Sequence, residues 1–381
     1  MVSTVLVMKN NLKKFYYFSF VSVFILYVPF IIYYFQSLDL GLGKIAILVS
    51  TTSVVRLIFE IPSGYVADRI GRKNSMLIGA IFQLIGMGVL FYASSFSIIF
   101  IAHIVLGLGF AFLSGADSAF LYDTLLVLKR EKDYKKVEGK ARFFGGVSGV
   151  IAGVAGSLVV TLSIRHTILF SIFVQFISIL VVLSFTEPSR HKLIEKLPFK
   201  EELFKFKNII IKSLHNKKLL GLFVYAFIVM GVADTIWINY QPYFRAINLP
   251  VVWFGILFAA FSVMTAISAL KADYIERKFG VSGSLLLMPL LLIGALLFAG
   301  MFFVWFGLFF FLLREVVRGM SFPVLNDYAN KIAASHERAT VLSVQSVFGQ
   351  LGFVVIALLF GFLGDAFGLR SMYLVLGLVL L

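Results

Sequence analysis

The feature that constrains this chain most is a succession of apolar runs, each about 20 residues long, separated by short polar and basic segments. A run of that length crosses a lipid bilayer as an α-helix. Of the 381 residues, 60% are hydrophobic and only 14% are charged, and the mean hydropathy is +0.98. No soluble core could absorb this much apolar surface, so the sequence predicts an all-α polytopic membrane protein.

The basic residues of the chain, which bring its net charge to +15, lie in short clusters between the apolar runs. They do not form the continuous basic face that nucleic-acid binding requires, and we expect no nucleic-acid partner. The excess of Lys and Arg in alternate connections is instead typical of cytoplasmic loops, and it predicts that both termini are cytoplasmic. There is no cysteine and there are five scattered histidines, so we expect no metal and no cofactor.

The apolar runs predict twelve transmembrane spans, numbered here in chain order. The first six are expected near residues 15–35, 45–66, 75–93, 97–126, 143–162 and 168–185, and the second six begin near residues 219, 251, 281, 304, 339 and 371. The first run is too long for a signal-peptide core and lacks a small-residue cleavage site, so it is interpreted as span 1. After Arg370 only 11 residues follow, and span 12 is expected to be short or truncated.

Three domains follow from this segmentation. Residues 1–186 are expected to form an N-terminal six-helix bundle, and residues 219–381 a C-terminal six-helix bundle. Residues 187–218 are expected to form a cytoplasmic linker. In the linker, apolar residues at helical spacing predict an interfacial helix; they are Leu203, Phe206, Ile210 and Leu214.

Two internal repeats indicate that the halves share one ancestral unit. Phe35–Leu40 (FQSLDL) recurs as Phe244–Leu249 (FRAINL), displaced by 209 residues. The segment 67–73 (ADRIGRK) recurs as 272–278 (ADYIERK), displaced by 205. Nearly equal displacements predict a parallel-repeat architecture, in which the substrate site lies near mid-membrane between the halves.

The connection between spans 2 and 3 carries a charged turn with the pattern G-x-x-x-D-R-x-G-R-K. Its residues are Gly64, Asp68, Arg69, Gly71, Arg72 and Lys73. This turn closely resembles the loop 2–3 signature of the major facilitator superfamily of secondary transporters, and the chain as a whole is similar to the drug/proton antiporters of that family. The alternative is a turn whose charges simply stay solvated and mark orientation.

The resemblance implies a gating role for the charged turn. Asp68 is expected to face the start of span 11 near Ala339, where backbone N–H groups favour an anion, and to latch the halves in the outward-open state. Arg72 is expected to pair with Asp123 at the end of span 4. The second-half counterpart of Asp123 is Asp327, but Glu276 replaces Gly71 in the second copy, so that gate is expected to be weaker.

Charged residues inside the predicted spans are the next candidates, because an unpaired Arg at mid-membrane costs roughly 2.5–3.5 kcal/mol. Arg56 and Glu60 lie one helical turn apart on span 2, either as a structural ion pair or as cavity residues in which Glu60 binds a proton or a cation. On span 10, Arg314 and Arg318 share a face. They need an anion between them, which Glu315, Asp234 or an acidic substrate could supply.

Polar and aromatic residues of spans 1, 4 and 7 complete the candidate set, since the resemblance implies that spans 1, 4, 7 and 10 line the cavity. Asp117 and Asp234, with Glu60, are the proton-coupling candidates, because burial disfavours a charged carboxylate. The further cavity candidates are Tyr27, Trp237 and Asn239. The tyrosines expected in the interfacial belt instead are Tyr33, Tyr34, Tyr240 and Tyr243. His103, which stands where the family's span 4 motif has Arg, is expected to be a satisfied interface residue.

No span carries a nucleophile beside a base, and there is no phosphate-binding G-x-x-x-x-G-K-[ST] motif, so we expect neither an enzyme nor an ATP-driven pump. The predicted function is proton-coupled export of small amphipathic organic compounds by alternating access. The alternatives are uptake or exchange of an organic anion, and a sensor or lipid-handling protein on the same fold. The expected partners are a small-molecule substrate, protons and the lipid bilayer. The protein is expected to be a monomer in a prokaryotic cytoplasmic membrane.

Overall fold

The computed structural model describes residues 2–188, 201, 211, 213–333 and 337–381. Within these ranges the chain is almost entirely α-helical and contains no strand. The helices in the first half are α1 (Val2–Val21), α2 (Ile31–Ser37), α3 (Leu42–Ile70), α4 (Arg72–Tyr92), α5 (Phe96–Leu113), α6 (Ala116–Val127), α7 (Tyr134–Val159) and α8 (Ile164–Ser184). Those in the second half are α9 (Lys217–Ile238), α10 (Tyr240–Ala246), α11 (Val252–Leu270), α12 (Ala272–Met301), α13 (Phe311–Ile332), α14 (Arg338–Phe367) and α15 (Leu369–Val379).

These helices correspond to the twelve predicted spans, and the expected fold class is confirmed. Span 1 consists of α1 and α2, span 4 of α5 and α6, and span 7 of α9 and α10. Nine helical segments of the described chain are long and apolar enough to cross a membrane. Spans 1 and 10 carry more charged residues, and span 12 is the 11-residue helix α15. Of the four apolar residues that predict the linker helix, Leu203, Phe206 and Ile210 lie outside the described residues and Leu214 lies within them.

The first compact unit comprises Met1–Pro29 and Thr51–Phe199. Its core contains a cluster of aromatic rings from α1, α6 and the end of span 6; they are Phe15, Phe18, Phe120 and Phe185. Phe120 and Phe185 lie 4.6 Å apart between ring centroids. Aromatic pairs at such separations add to the stabilisation that burial provides.

Span 1 was expected to be a continuous helix over residues 15–35, and this is wrong: α1 ends at Val21 and helical structure resumes with a 3-10 turn at Val28–Phe30. Pro29 has no N–H group and lies in that turn. The break frees backbone groups, and one of them is satisfied because Leu26 N donates to Ser171 Oγ at 2.9 Å. A break is tolerated at membrane depth only when neighbouring side chains supply such partners.

The second compact unit comprises Phe30–Ser50 and Lys200–Leu381. It therefore includes α2 and the beginning of α3, which belong to the first half of the sequence. Gln241 Oε1 accepts from the N–H groups of Ile32 and Tyr33, at 2.8 and 3.0 Å, and so caps α2. The boundaries expected from the sequence, at residues 186 and 219, remain a prediction.

The repeat between the halves has a displacement of 209 residues in the structure. Asp39 (φ 56°) ends α2, and Asn248 (φ 55°), 209 positions later, ends α10 in the same left-handed conformation. Gly71 (φ 107°) separates spans 2 and 3, and Gly280 (φ 71°), again 209 positions later, separates spans 8 and 9. Span 8 therefore runs through α11 and the first turns of α12, as far as Gly280.

The displacement of 205 residues, inferred from the recurrence of the charged turn, does not describe this connection. The ion pair Asp68–Arg72 spans the turn at Gly71, whereas the ion pair Asp273–Arg277 lies before Gly280 on one helix. Both are i,i+4 pairs with an N···O distance of 2.5 Å. An Asp–Arg pair at this spacing can form on any two consecutive helical turns. The sequence comparison therefore aligned the charged turn with a segment that lies one helical turn too early in the second half.

Candidate functional site

The charged turn of the first unit is built around Gly71, which separates α3 from α4. Its left-handed backbone (φ 107°, ψ 152°) suits glycine. Arg72, the first residue of α4, pairs with Asp68 at 2.5 Å, and the Arg69 guanidinium lies 4.3 Å from the centroid of the Tyr65 ring. The turn thus has a defined local structure in which a cation and an anion face each other across the helix break.

Glu187, which the sequence analysis did not single out, binds this turn from the end of span 6. Its carboxylate accepts from the backbone N–H groups of Arg72 and Lys73, at 2.7 and 2.8 Å. A Cβ atom on Gly71 would lie 2.9 Å from the Glu187 carboxyl carbon, so glycine is required by packing as well as by φ. Glu187 therefore caps the N-terminus of α4 and ties the turn to the start of the linker.

Asp123 lies on α6, and its predicted ion pair with Arg72 remains a prediction. The same holds for the predicted contact of Asp68 with the start of span 11. In the second copy, Lys331 pairs with Asp327 on α13 and with Glu276 on α12, the latter at 3.4 Å. Glu276 lies one turn before Gly280, which is the structural counterpart of Gly71, so the expectation that Glu276 replaces that glycine is wrong.

Arg56 and Glu60 do not form the ion pair that was one of the two alternatives: within the described chain, Arg56 Nη2 instead donates to Ser114 Oγ at 3.1 Å. Ser114 lies at the break between α5 and α6, next to Gly115 (φ 78°). Just beyond the break, the Asp117 carboxylate accepts from Ser118 N at 2.7 Å. The first unit thus places the Arg56 guanidinium beside the interruption of span 4 and the Asp117 carboxylate two residues after Gly115, in the first turn of α6.

His103 is buried on α5, where its Nδ1 atom lies 2.8 Å from Thr52 Oγ1 on α3. The hydroxyl of Thr52 also donates to the His103 carbonyl at 3.3 Å. His103 therefore has Thr52 on α3 as a partner, and its assignment as a satisfied interface residue stays a prediction. Tyr27, another cavity candidate, lies in the break of span 1 and is 8% exposed.

The second unit contains a cluster of four charged side chains from α9 and α13, which we call the charged cluster: Asp234, Arg314, Glu315 and Arg318. Arg314 Nη1 lies 2.8 Å from Glu315 Oε1, and Arg314 Nη2 lies 3.3 Å from Asp234 Oδ1. Arg318 Nη1 lies 3.2 Å from the same Asp234 oxygen. Two guanidinium groups therefore share one carboxylate, as the repulsion between the two Arg residues requires.

Glu315 is fully enclosed in donors. Oε1 accepts from the Tyr240 hydroxyl at 2.6 Å as well as from Arg314, and Oε2 accepts from Thr265 Oγ1 at 2.5 Å. The helices α11 and α13 approach closely here because Gly319 has no side chain; a Cβ atom would overlap the Thr265 carbonyl oxygen. Buried charges are stable when every partner is in place, and this carboxylate has that arrangement.

Tyr240 and Tyr243 were expected in the interfacial belt, but both are buried, at 4% and 0% exposure. The Tyr240 hydroxyl donates to Glu315 Oε1, and the Tyr243 hydroxyl donates to the Phe302 carbonyl at 2.9 Å. Neither Tyr240 nor Thr265 was identified as part of a site from the sequence. The signal that could have found Tyr240 is its position on the same span as Asp234, six residues further along the chain.

The members of the charged cluster differ in exposure. Arg314 and Glu315 are 3% and 4% exposed, whereas Asp234 and Arg318 are 31% and 45% exposed. Trp237, one turn after Asp234, is half-buried beside Phe258, with ring centroids 6.3 Å apart. The accessible part of this unit therefore offers a carboxylate, an aromatic ring and a guanidinium group, which belong to Asp234, Trp237 and Arg318.

Asn239, the remaining cavity candidate, is buried at the junction of α9 and α10. Its Nδ2 atom donates to the Thr235 carbonyl at 2.8 Å, and its own carbonyl accepts from the Tyr373 hydroxyl at 3.1 Å. These bonds hold the junction of span 7 together, so the structure gives Asn239 a structural environment.

Comparisons with known proteins agree on one family. The family model for the Major Facilitator Superfamily matches residues 15–356. The uncharacterized MFS-type transporter YxaM of Bacillus subtilis (strain 168) is 23% identical over 369 residues, which cover 93% of this chain and 89% of that protein.

Solved transporter structures share the fold. The nucleoside transporter NupG is similar with a TM-score of 0.80 and 14% identity over 97% of each chain. A bacterial homolog to the human lysosomal transporter Spinster, in an inward-facing and unoccupied conformation, has a TM-score of 0.78 and 15% identity over 99% of this chain and 95% of that one. A D-xylose-proton symporter has a TM-score of 0.68 and 14% identity over 100% and 97%. At these identities the similarity concerns the fold.

Proposed function

Since the chain belongs to the Major Facilitator Superfamily, we propose that it exports small amphipathic organic compounds across a prokaryotic cytoplasmic membrane in exchange for protons, by alternating access. The family makes it a secondary transporter and not an enzyme. The direction, the proton coupling and the substrate class are the proposed part.

The observation that carries the proposal is the charge balance of the charged cluster. Arg314 and Arg318 supply two positive charges, and Asp234 and Glu315 supply two negative ones. A partly buried site without net charge accepts an uncharged or weakly charged ligand without leaving a buried charge uncompensated. A strongly charged ligand would disturb that balance.

The division of exposure supports distinct roles within the cluster. Arg314 is held on three sides, because its Nε donates to the Ala233 carbonyl at 2.8 Å in addition to its two carboxylate contacts. We assign Arg314 and Glu315 a supporting role and assign ligand contact to Asp234, Trp237 and Arg318. An aromatic ring beside a few polar groups suits an amphipathic organic compound.

Proton exchange needs a carboxylate that changes its charge during the cycle. Asp234 is the exposed acid of the charged cluster, and a proton on it would release Arg318 from an ion pair. Binding of a proton and binding of a ligand would then compete for the same residues, which is how an antiporter couples them. Asp117 and Glu60 in the first unit are the other candidates.

The test uses everted membrane vesicles with an acidic lumen, in which an exporter moves substrate inward as protons leave. We expect an uncharged or weakly charged fluorescent amphipathic dye to accumulate in vesicles that contain the protein beyond its level in vesicles without it, and a protonophore to abolish the difference. Dye movement that is indifferent to the pH gradient for every compound of a cationic and neutral panel would contradict the proposal.

A second candidate, exchange of an organic anion, is favoured by one observation. Arg318 is the most exposed member of the charged cluster, and its guanidinium shares Asp234 with Arg314. If Asp234 were protonated, the cluster would carry a net positive charge and would attract a carboxylate or phosphate. The two candidates are distinguished by the response of ligand binding to Arg318 substitution.

A further inference from the structure

The turn between α14 and α15 repeats the spacing of the charged turn between α3 and α4. In each turn a glycine precedes an aspartate by four residues and a second glycine follows it by three; these residues are Gly64, Asp68 and Gly71 in the first and Gly361, Asp365 and Gly368 in the second. Gly71 and Gly368 share a left-handed backbone, with φ of 107° and 82° and ψ of 152° in both. The predicted topology puts the first turn on the cytoplasmic side and the second on the outer side.

Asp365 binds the N-terminus of α3. Its Oδ1 atom accepts from Leu42 N at 2.6 Å and its Oδ2 atom accepts from Gly43 N at 2.9 Å. These are the first N–H groups of the helix, which have no partner within it, and a carboxylate there is also favoured by the helix dipole. The two bonds are charge-assisted and directional.

Four glycines allow the two helices to approach at this point; they are Gly41, Gly43, Gly361 and Gly364. A Cβ atom on Gly43 would lie 2.7 Å from a ring carbon of Phe362, and one on Gly361 would lie 2.7 Å from the Leu42 carbonyl oxygen. Real Cβ atoms do not come this close. The contact therefore depends on close packing along both helices and not on the Asp365 side chain alone.

The contact joins two segments that are far apart in the sequence. The outer end of span 2 packs in the same compact unit as span 11, whereas α3 from Thr51 onward belongs to the first unit. Gln241 holds α2 in the same unit through the N–H groups of Ile32 and Tyr33. In a parallel-repeat transporter the halves move against each other during the cycle, so a contact between spans 2 and 11 has to break and re-form.

We propose that Asp365 is an outer latch, which holds the beginning of span 2 on span 11 in one state of the transport cycle and releases it in the other. The shared spacing makes it the counterpart of Asp68, with the two aspartates acting at opposite ends of span 2 in opposite states. The inference rests on alternating access and is independent of the substrate and the direction of transport.

The experiment measures the distance between the outer ends of spans 2 and 11 by pulsed electron paramagnetic resonance in lipid nanodiscs. The chain has no cysteine, so Lys44→Cys and Phe367→Cys, both exposed positions, introduce two labelling sites without removing native thiols. We expect a main short-distance population. Asp365→Asn replaces one acceptor oxygen with a donor facing Gly43 N, and it should shift the ratio of short to long distances about fivefold toward long ones.

Two further variants make the result decisive. Asp39→Asn removes the same charge from an exposed position of the outer loop after α2, and it should leave the ratio unchanged. Gly43→Ala adds a Cβ atom that pushes the helices apart and leaves Asp365 unaltered, so it should shift the ratio as Asp365→Asn does. It tests the latch even if the Asp365→Asn protein fails to fold. The latch is refuted if Gly43→Ala and any folded Asp365→Asn protein keep the ratio of the Asp39→Asn control.

Discussion

The hydroxyl of Tyr240 donates to Glu315 Oε1 at 2.6 Å, and both side chains are buried. The same oxygen accepts from Arg314, so a tyrosine on α10 helps to stabilise an ion pair within α13. Without its donors, the buried Glu315 carboxylate would have no hydrogen bond or ion pair to offset the cost of its desolvation. The relationship explains why a tyrosine near a predicted interface is withdrawn into the protein.

The first prediction follows from that bond. Tyr240→Phe should lower the free energy of unfolding by roughly 1.5–3 kcal/mol, because it removes a hydrogen bond to a charged group without changing the ring. Thermal unfolding of the purified protein in detergent measures the effect. Tyr274→Phe is the matched control, since Tyr274 is 64% exposed and should tolerate the change. Equal melting temperatures for the two variants would contradict the assignment.

The second prediction concerns Glu187, whose carboxylate caps α4 through the N–H groups of Arg72 and Lys73. Glu187→Ala should cost about 1 kcal/mol of stability, as loss of a helix cap does. More directly, it should accelerate hydrogen exchange at those two amides, measured by mass spectrometry of peptides that cover the turn.

The control for Glu187 is Glu138→Ala. Glu138 forms an exposed i,i+4 ion pair with Arg142 at 2.7 Å, and such pairs contribute about 0.3–0.5 kcal/mol. The control should leave exchange at the charged turn unchanged. Unaltered exchange in Glu187→Ala as well would mean that the cap is not formed in solution.

Most of the fold could be predicted from the sequence, because apolar length is a strong physical constraint in a bilayer. The break in span 1 could not: the run 15–35 contains Pro29, but Pro62 lies inside the continuous helix α3, so a proline alone does not predict a break. It is the Ser171 hydroxyl on span 6 that accommodates the break. The repeat displacement slipped by one turn for a related reason. Its sequence signal was an Asp–Arg pair, whereas the structural signal is the left-handed glycine at 280.

The candidate site could be predicted in its charges and in the anions that Arg314 and Arg318 take, but not in its other polar partners. Charged residues in apolar spans are conspicuous, and Asp234, Arg314, Glu315 and Arg318 were found in that way and are brought together by the fold. Which polar neighbour each one takes depends on helix rotation, which composition does not reveal. Arg56 therefore meets Ser114 and not Glu60, and the cap supplied by Glu187 was missed because an acid before a proline looks like an ordinary loop.

The third prediction concerns the gating role of Asp68. Asp68→Asn should preserve expression and folding yet slow transport strongly, because it removes an anion from the charged turn and no core contact. Asp273→Asn is the matched control: it breaks the same kind of i,i+4 pair with Arg277, at an exposed position away from Gly280, and should transport normally. Wild-type transport rates in Asp68→Asn vesicles would exclude the latch.

The fourth prediction identifies the proton-binding residue among Glu60, Asp117 and Asp234. We expect Asp234→Asn to abolish the dependence of transport on pH, because Asp234 is the exposed acid of the charged cluster and shares two guanidinium groups. Glu60→Gln and Asp117→Asn should retain that dependence. The measurement is the initial transport rate across a series of pH values for each variant. A pH profile that survives in all three would exclude these residues as the coupling site.

The fifth prediction decides which sign of substrate the charged cluster accepts. With all four side chains ionised the cluster is neutral. A neutral or cationic amphipath needs no ion pair with Arg318, so Arg318→Ala should change its binding little. An anionic ligand that covers Arg318 and excludes water from it would instead lose its cationic partner, at a cost of roughly 2–5 kcal/mol by analogy with buried charge pairs. Arg277→Ala, at an exposed position outside the cluster, is the control for the loss of one positive charge.

The measurement for this prediction is ligand affinity by thermal shift, with a panel of neutral, cationic and anionic organic compounds tested on the Arg318→Ala, Arg277→Ala and unchanged proteins. We expect the stabilising compounds to be neutral or cationic. Their affinities for the Arg318→Ala protein should be within a few-fold of those for the unchanged protein, because such compounds form no ion pair with Arg318. The opposite outcome is tight binding of a carboxylate or phosphate compound that survives Arg277→Ala and disappears in Arg318→Ala. Only a ligand that completes an ion pair with Arg318 responds in this way, so that result would replace the proposed export of amphipathic compounds by exchange of an organic anion.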